Sequence, residues 1–360
     1  MDTFAIIKQG GLEQLIFFRD EAVGLRAVVA IHNTRLGPAI GGVRMLDYAN
    51  QDEVLKDAID LAQEMTLRAA LADCDLGGGA AVLWGPPQAK TEALFRAFGR
   101  FVNRLGGQLL VTMEVGTDSR DLRNIHRETG YVYALPEAYG GIADPTQVTA
   151  EGVMHGIKAT AKVVFGQASL EGVTCLVQGA GRLGSSLVKL LAAAKAKILI
   201  TDRNYDKIKN IQDAHPDIVM LRPDEVRGAK CDIIVPCALG NLVDHRTIDQ
   251  LRCKVIAGGA SNILPDVEAG DLLLKRGIVY TPHFLIDAGE LIQADHELKK
   301  LSTALLQSAV GEIYHRTVAL LEAAREAKEA PLRAAMRMAW DRLTAMGRIG
   351  HRETLWEEAK

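Results

Sequence analysis

Between Thr174 and Thr201 the chain repeats one short pattern. An apolar run, Thr174–Gln178, meets a glycine-rich turn; a stripe-patterned segment, Leu183–Ala194, follows; a second apolar run, Ile198–Thr201, closes the unit. Strand, helix, strand in that order places the two strands side by side and parallel, with the helix on a face of the sheet. The turn reads Val177-Gln-Gly179-Ala-Gly181-Arg-Leu-Gly184, and the second strand ends in Asp202, 23 positions after Gly179. A GxGxxG alone is weak. After a strand, opening a helix, and followed at this distance by an acid, it predicts a dinucleotide fold. Gly179 permits the tight turn, Gly181 lets a pyrophosphate approach the backbone, and Gly184 lets helix and strand pack. The helix start offers free N–H groups and the positive end of the helix dipole. The predicted cofactor contacts are therefore Gly179, Gly181, Arg182, Leu183, Gly184, Asp202 and Arg203. A carboxylate at Asp202 repels a 2′-phosphate, so NAD is expected before NADP; Arg203 beside it tempers that preference.

The same alternation extends both ways. Upstream, Gln14–Phe18 and Leu25–His32 read as strands, and the first 35 residues are read as strand throughout. A helix is predicted from about Asp52 through Val54, Ala58, Leu61 and Met65, with Arg68 next on the same stripe. Arg68 there either snorkels to water at the helix end or has a partner. Ala80–Trp84 is a strand, Lys90–Leu105 an amphipathic helix ended by Gly106-Gly107, and Gln108–Met113 a strand. The turn-rich Tyr139–Pro145 is predicted to be a hinge. Beyond it come a helix over Gln147–Val164, a helix over Tyr205–His215, strands at Ile233–Pro236, Val255–Ala257 and Ile278–Tyr280, and a long helix over Leu301–Lys328. Pro331 fits the first position of a last helix, which is expected to return to the first domain. The expectation is an α/β protein of two domains. Residues 1–142, joined by a C-terminal helix of about 330–360, form a substrate-binding and oligomerisation domain. Residues 143–329 form a doubly wound Rossmann-type domain.

Composition excludes little but points one way. With 360 residues, 48% hydrophobic and 24% charged, the chain is ordinary globular material, and a net charge of −3 gives no reason to expect nucleic acid. The start lacks a basic segment followed by an apolar core, and no apolar run approaches a membrane span, so a cytoplasmic protein without membrane contact is expected. The five cysteines, an odd number with no CxxC, suit reduced thiols.

Further motifs carry a resemblance. Gly37-Pro-Ala-Ile-Gly-Gly-Val-Arg-Met45, Leu76-Gly-Gly-Gly79, Val115-Gly-Thr117, Val148-Thr-Ala150, Cys231-Asp-Ile-Ile-Val-Pro-Cys-Ala-Leu-Gly240, Val255-Ile-Ala-Gly258 and Gly277-Ile-Val-Tyr-Thr-Pro282 stand in order along the chain. Together they resemble the glutamate/leucine/phenylalanine/valine amino acid dehydrogenase superfamily, nearest its leucine dehydrogenase branch. The resemblance implies NAD-dependent oxidative deamination of a small-molecule substrate by a homodimer or larger homo-oligomer. It adds Thr149, Cys237 and Ala238 to the cofactor side. On the substrate side it implies Ile40, Gly41, Met65, Arg68, Gly77, Gly78, Ser261, Asp287 and Glu290.

The polar positions of that resemblance have changed. The family's carboxylate-gripping lysine matches Arg68, which keeps the charge as a planar fork. Its catalytic lysine matches Ala80, which has no proton to give. Its aspartate matches Glu114, one methylene longer. Its asparagine near the substrate matches Ser261, and its Asn-Ala-Gly-Gly reads Asp287-Ala-Gly-Glu290. Glu114 is the catalytic candidate, as a general acid or base at a strand end; alternatively it balances Arg68. His283 could instead transfer a proton or be structural. His296 reads as helix surface, and no metal cluster is expected. The sequence thus supports an oxidoreductase acting on CH–NH₂ or C=N with an altered site and a non-standard amino acid, amine or imine as substrate. A catalytically silent homologue that binds NAD as a sensor or partner subunit is the alternative.

Overall fold

The structure is a computed structural model that describes residues 3–139, 141, 144–238 and 242–346. It divides into two compact units. The first runs to Asp144 and includes the described residues from Met338 on; the second is Pro145–Arg337. Parts of the predicted hinge, and the expected helix beyond residue 346, lie outside the described residues.

The first unit begins with a helix, α1 (Thr3–Gly10), where strand was expected. Strands β1 (Gln14–Asp20), β2 (Leu25–Asn33) and β3 (Ala39–Leu46) follow, then α2 (Gln51–Ala72), β4 (Gly77–Trp84), α3 (Glu92–Arg104), β5 (Leu109–Met113) and α4 (Ser119–His126). The strands lie in the order β1-β2-β4-β3-β5. β1, β2 and β4 run antiparallel in turn, whereas β4, β3 and β5 are parallel, so the sheet is mixed. β2 is buried at every position except Arg26 because both of its faces are covered. Val28 and Ala30 pack on α2 through Val54, Leu55, Ala58 and Ala62. Val29 and Ile31 face the cluster holding Phe95 and Phe98 of α3. α2 starts where the Asn50 side chain accepts from the Glu53 N–H, and stops at Asp73 in the left-handed region.

The second unit opens with α5 (Thr146–Phe165). It continues through β6 (Thr174–Gln178), α6 (Arg182–Ala193), β7 (Lys197–Thr201), α7 (Tyr205–Ala214), β8 (Val219–Met220), β9 (Ile233–Pro236), β10 (Val255–Ile256), α8 (Val267–Lys275) and β11 (Val279–Tyr280). Helices α9 (His283–Ile286), α10 (Gly289–Leu298), α11 (Thr303–Ala327) and α12 (Pro331–Met346) complete it, the last reaching into the first unit. Its six strands are all parallel, in the order β11-β10-β9-β6-β7-β8. From β6 onward the strand sequence is thus 6-5-4-1-2-3, the doubly wound order with its switch point between β6 and β9. Such sheets bind ligands beyond the carboxyl ends of the strands at that point.

Candidate functional site

The carboxyl end of β6 makes the turn that the glycines require. Gly179 sits at φ 107°, and its N–H donates to the Thr201 carbonyl at 2.8 Å. A Cβ there would meet Ala238 Cβ at 2.8 Å, and one on Gly184 would stand 1.9 Å from the Gly179 carbonyl oxygen. These two glycines are therefore packing requirements between turn, helix and the segment after β9. Gly181 is different. It is the N-cap of α6 with no side-chain cap, and a Cβ on it would meet nothing within 4 Å. Room is left where the free N–H groups of α6 point, as an anion cradle needs.

Asp202, just past β7, ties this turn down. One carboxylate oxygen accepts from the Ala180 N–H at 2.7 Å and the other from the Asn204 N–H at 2.8 Å. Beside it lies a cavity of about 600 Å³ lined by Gln178, Gly179, Thr201, Asp202, Arg203 and, across from them, residues including Pro223, Val226 and Leu242. Two polar atoms of this lining are buried without a hydrogen-bond partner among the described residues, Gln178 Oε1 and Thr201 Oγ1. Buried polar groups are almost always paired, so these two mark a place where a polar ligand fits. Arg182 and Leu183 open α6 behind the turn. Cys237 follows β9, its thiol pushed up to about 12 by burial, so it serves as a neutral wall beside Ala238. The residues present fit a dinucleotide. Gln178, Thr201, Pro223, Val226 and Leu242 were missed from sequence; Gln178 and Thr201 were findable as the last residues of their strands.

The remaining candidates of this unit gather around one loop. A Cβ on Gly259 would meet Leu183 Cδ2 at 2.7 Å, Val153 at 3.2 Å and Asp287 Cβ at 3.4 Å. Ser261 is two residues on, half-buried, and Asp287 is buried. Gly289, beside Glu290, packs on the first turn of α5, where a Cβ would lie 2.7 Å from Thr149 Cα. His283 is buried, its Nδ1 2.8 Å from the Tyr280 hydroxyl. His296 is not on the surface. It is 8% exposed, and its Nδ1 donates to the Ile292 carbonyl at 2.9 Å, because α10 is covered on nearly all sides. Burial alone raises its neighbour Glu297 to about 7. No group of three or more metal-ligating side chains exists among the described residues.

In the first unit Glu114 follows the last residue of β5, and its partner is Arg44 rather than Arg68. The Arg44 guanidinium forks onto both carboxylate oxygens at 3.1 Å and reaches Asp57 at 2.6 Å. Asp57 in turn accepts from the Tyr48 hydroxyl, and the Val115 N–H also donates to Glu114. Arg44 is 4% exposed. Burial disfavours its charge, but the hydrogen bonds and charges of Glu114 and Asp57 outweigh that and raise its pKa. The Tyr48 hydroxyl is likewise raised, by burial and then by Asp57. A Cβ on Gly42 would meet Glu114 Cγ at 2.4 Å and Cβ at 2.5 Å, so the glycine is what lets the Glu114 chain lie across β3.

Ala80 lies next to Ala81, the register partner of Val43, and is fully buried among Ala58, Ala62 and Ala30. Ile40, Gly41, Gly77 and Gly78 are buried backbone of β3 and β4. A Cβ on Gly78 would strike the Thr66 N at 2.3 Å, so β4 touches α2 there. Arg68 lies partly buried on α2, ion-paired with Glu64 at 2.7 Å and contacting the Met65 sulfur.

Three comparisons bear on this arrangement. The sequence profile described as the Glu/Leu/Phe/Val dehydrogenase dimerisation domain matches residues 13–131, and the Glutamate/Leucine/Phenylalanine/Valine dehydrogenase profile matches residues 198–346. The chain is 40% identical over 350 residues to a leucine dehydrogenase of Bacillus subtilis, covering 97% of this chain and 96% of that one. It is 38% identical over 360 residues to a phenylalanine dehydrogenase of Bacillus thermotolerans, covering 98% and 94%. The crystal structure of L-tryptophan dehydrogenase from Nostoc punctiforme superposes with a TM-score of 0.81 at 33% identity, covering 96% of this chain and 99% of that one. With matched profiles over both units and relatives aligned along nearly its whole length, the chain belongs to the Glu/Leu/Phe/Val dehydrogenase family.

Proposed function

We propose that this protein is an NAD-dependent oxidoreductase of the amino acid dehydrogenase type. It interconverts CH–NH₂ and C=N on a substrate other than the standard aliphatic amino acids. The observation that carries the reading is the nucleotide cradle of the second unit: a glycine turn held by Asp202, room at Gly181, and two buried polar atoms awaiting partners. The nicotinamide supplies hydride acceptance and donation when bound. The protein's own contribution in this proposal is a carboxylate. Glu114, oriented by the Arg44 fork, takes the proton from the substrate nitrogen in the oxidative direction and returns it in the reductive one. Imine reduction needs that one proton and no activated water. Net deamination needs water attack as well, and Ala80 brings no amine to assist it.

The altered substrate side is supported by Arg68. A guanidinium already ion-paired with Glu64 is a poor free grip for a substrate carboxylate. Ser261, Asp287 and Glu290 remain the proposed substrate contacts, and Thr149, Cys237 and Ala238 the proposed cofactor-side contacts. Self-association through the first unit is part of the proposal. β1 is the edge strand of its sheet, and Phe17 on it is 49% exposed.

The test is NADH consumption with keto acids plus ammonia or amines, beside oxidation of leucine, valine and phenylalanine. Oxidation of those three is expected to be roughly 10²–10⁴-fold slower than by a leucine dehydrogenase, the usual effect of losing one proton-transfer group. Turnover within about tenfold of that enzyme would overturn the altered-site reading. No consumption with any substrate, despite NADH binding, would favour a silent homologue.

A further inference from the structure

Arg203 stands at the rim of the nucleotide cavity directly after Asp202, exposed and with no hydrogen bond or ion pair on its guanidinium among the described residues. The other charged groups of the lining are engaged. Asp224 pairs with Arg222 at 3.6 Å, and Arg227 donates to the Leu242 carbonyl at 3.4 Å. Asp202 holds two backbone N–H groups.

An acid at the end of the second strand of such a fold recognises ribose hydroxyls and repels a 2′-phosphate, and a nearby arginine accommodates that phosphate. Here both stand on consecutive residues. The carboxylate is pinned by the backbone, with lone pairs left for a hydroxyl. The guanidinium beside it is a fork of five donors, none of them used, whose geometry matches a phosphate dianion. The lining as a whole carries Asp202 and Asp224 against Arg203 and Arg227, so it presents no net negative field to an added phosphate.

We propose that Arg203 is a specificity-determining residue that holds a 2′-phosphate, so that the site takes NADP(H) as well as NAD(H). The proposal rests on the reading of this cavity as the nucleotide site. Asp202 sets the preference for the unphosphorylated ribose, and Arg203 limits how strong that preference is. Because Arg203 is exposed and makes no hydrogen bond or ion pair among the described residues, changing it is expected to leave folding untouched.

Calorimetric titration of the whole protein with NADH, NADPH, 5′-AMP and 2′,5′-ADP tests this without reference to turnover. Both reduced dinucleotides are expected to bind, with NADPH weaker by less than about 100-fold. Arg203→Ala is expected to weaken NADPH and 2′,5′-ADP by roughly 10–100-fold, the size of a lost charged hydrogen bond, while NADH and 5′-AMP change by less than about threefold. Arg203→Lys is expected to recover part of the loss, since it keeps the charge without the fork. Binding of NADH with no detectable NADPH binding in the unmodified protein overturns the inference alone. So does an NADPH-to-NADH ratio that Arg203→Ala leaves unchanged. Failure of the unmodified protein to bind any of the four overturns the nucleotide reading and the inference with it.

Discussion

The glycine turn of the second unit and the Glu114 cluster of the first are both polar groups at the end of an apolar sheet, yet they are finished differently. Around Glu114 the partners are in place: Arg44 meets both oxygens, Asp57 meets Arg44, and Tyr48 meets Asp57. Around Gly179 they are incomplete: among the described residues Gln178 Oε1 and Thr201 Oγ1 are buried with nothing to bond, and Gly181 faces space. A saturated network fixes the position of a charge. An unsaturated one leaves stabilisation to be gained from a ligand. In the proposed function, the contrast sets a carboxylate held in place in one region against a binding site in the other.

The largest expected effect separates two glycines of one motif. Gly184→Val drives a side chain into the Gly179 carbonyl, 1.9 Å from its Cβ. It should cost several kcal/mol, of the order of severe overpacking, and abolish dinucleotide binding through loss of the fold. Gly181→Val meets no neighbour and should cost only about 1 kcal/mol at the N-cap. It should still remove binding by blocking the approach of the pyrophosphate. Thermal melts beside calorimetry read both, and NADH binding that survives Gly181→Val would break the assignment of that space to a ligand.

Next in size is Arg44→Met. It strands Glu114 and Asp57 in a partly buried setting, and removing one member of such a group costs about 3 kcal/mol. Glu114→Gln keeps the shape and should melt far closer to the unmodified protein. In the proposed function it should also eliminate turnover without moving NADH affinity. Full activity in Glu114→Gln would leave His283 as the residue to examine. Chemical denaturation of both variants, with initial rates, decides it.

The smallest effect is the most diagnostic of the comparison. Thr201→Val replaces a buried, unpaired hydroxyl with a methyl of similar shape. The ligand-free protein should gain up to about 1 kcal/mol, while NADH affinity should fall by up to about tenfold as a bond to the ligand is lost. A gain in stability with unchanged affinity would place Thr201 outside the site.

Much of the second unit was legible because its parallel strands are covered on both faces and read as continuous apolar runs; β6 and β9 begin and end where the sequence analysis put them. β3 escaped notice as a strand because Gly41 and Gly42 interrupt its pattern, and those glycines exist for contacts made elsewhere in the sheet. α1 was mistaken for strand because eight residues carry too little periodicity. His296 was misplaced on the surface because its helix is buried nearly all round, so polarity carried no information about its face. The Glu114 pairing was beyond sequence for a different reason. Arg44 and Glu114 are 70 positions apart, and only the register of β3 with β5 brings them together.

The Asp202 tether has a kinetic meaning. Its carboxylate already holds the Ala180 N–H at 2.7 Å, so in the proposed function the turn is formed before a nucleotide arrives. Association then carries no folding step, and its rate should rise linearly with nucleotide concentration in a single phase, as for a preorganised site. In the proposed function, selectivity and loop order share one side chain. A replacement of Asp202 made to change nucleotide preference would also loosen the turn, and arrival would acquire a slow second phase that the parent protein lacks.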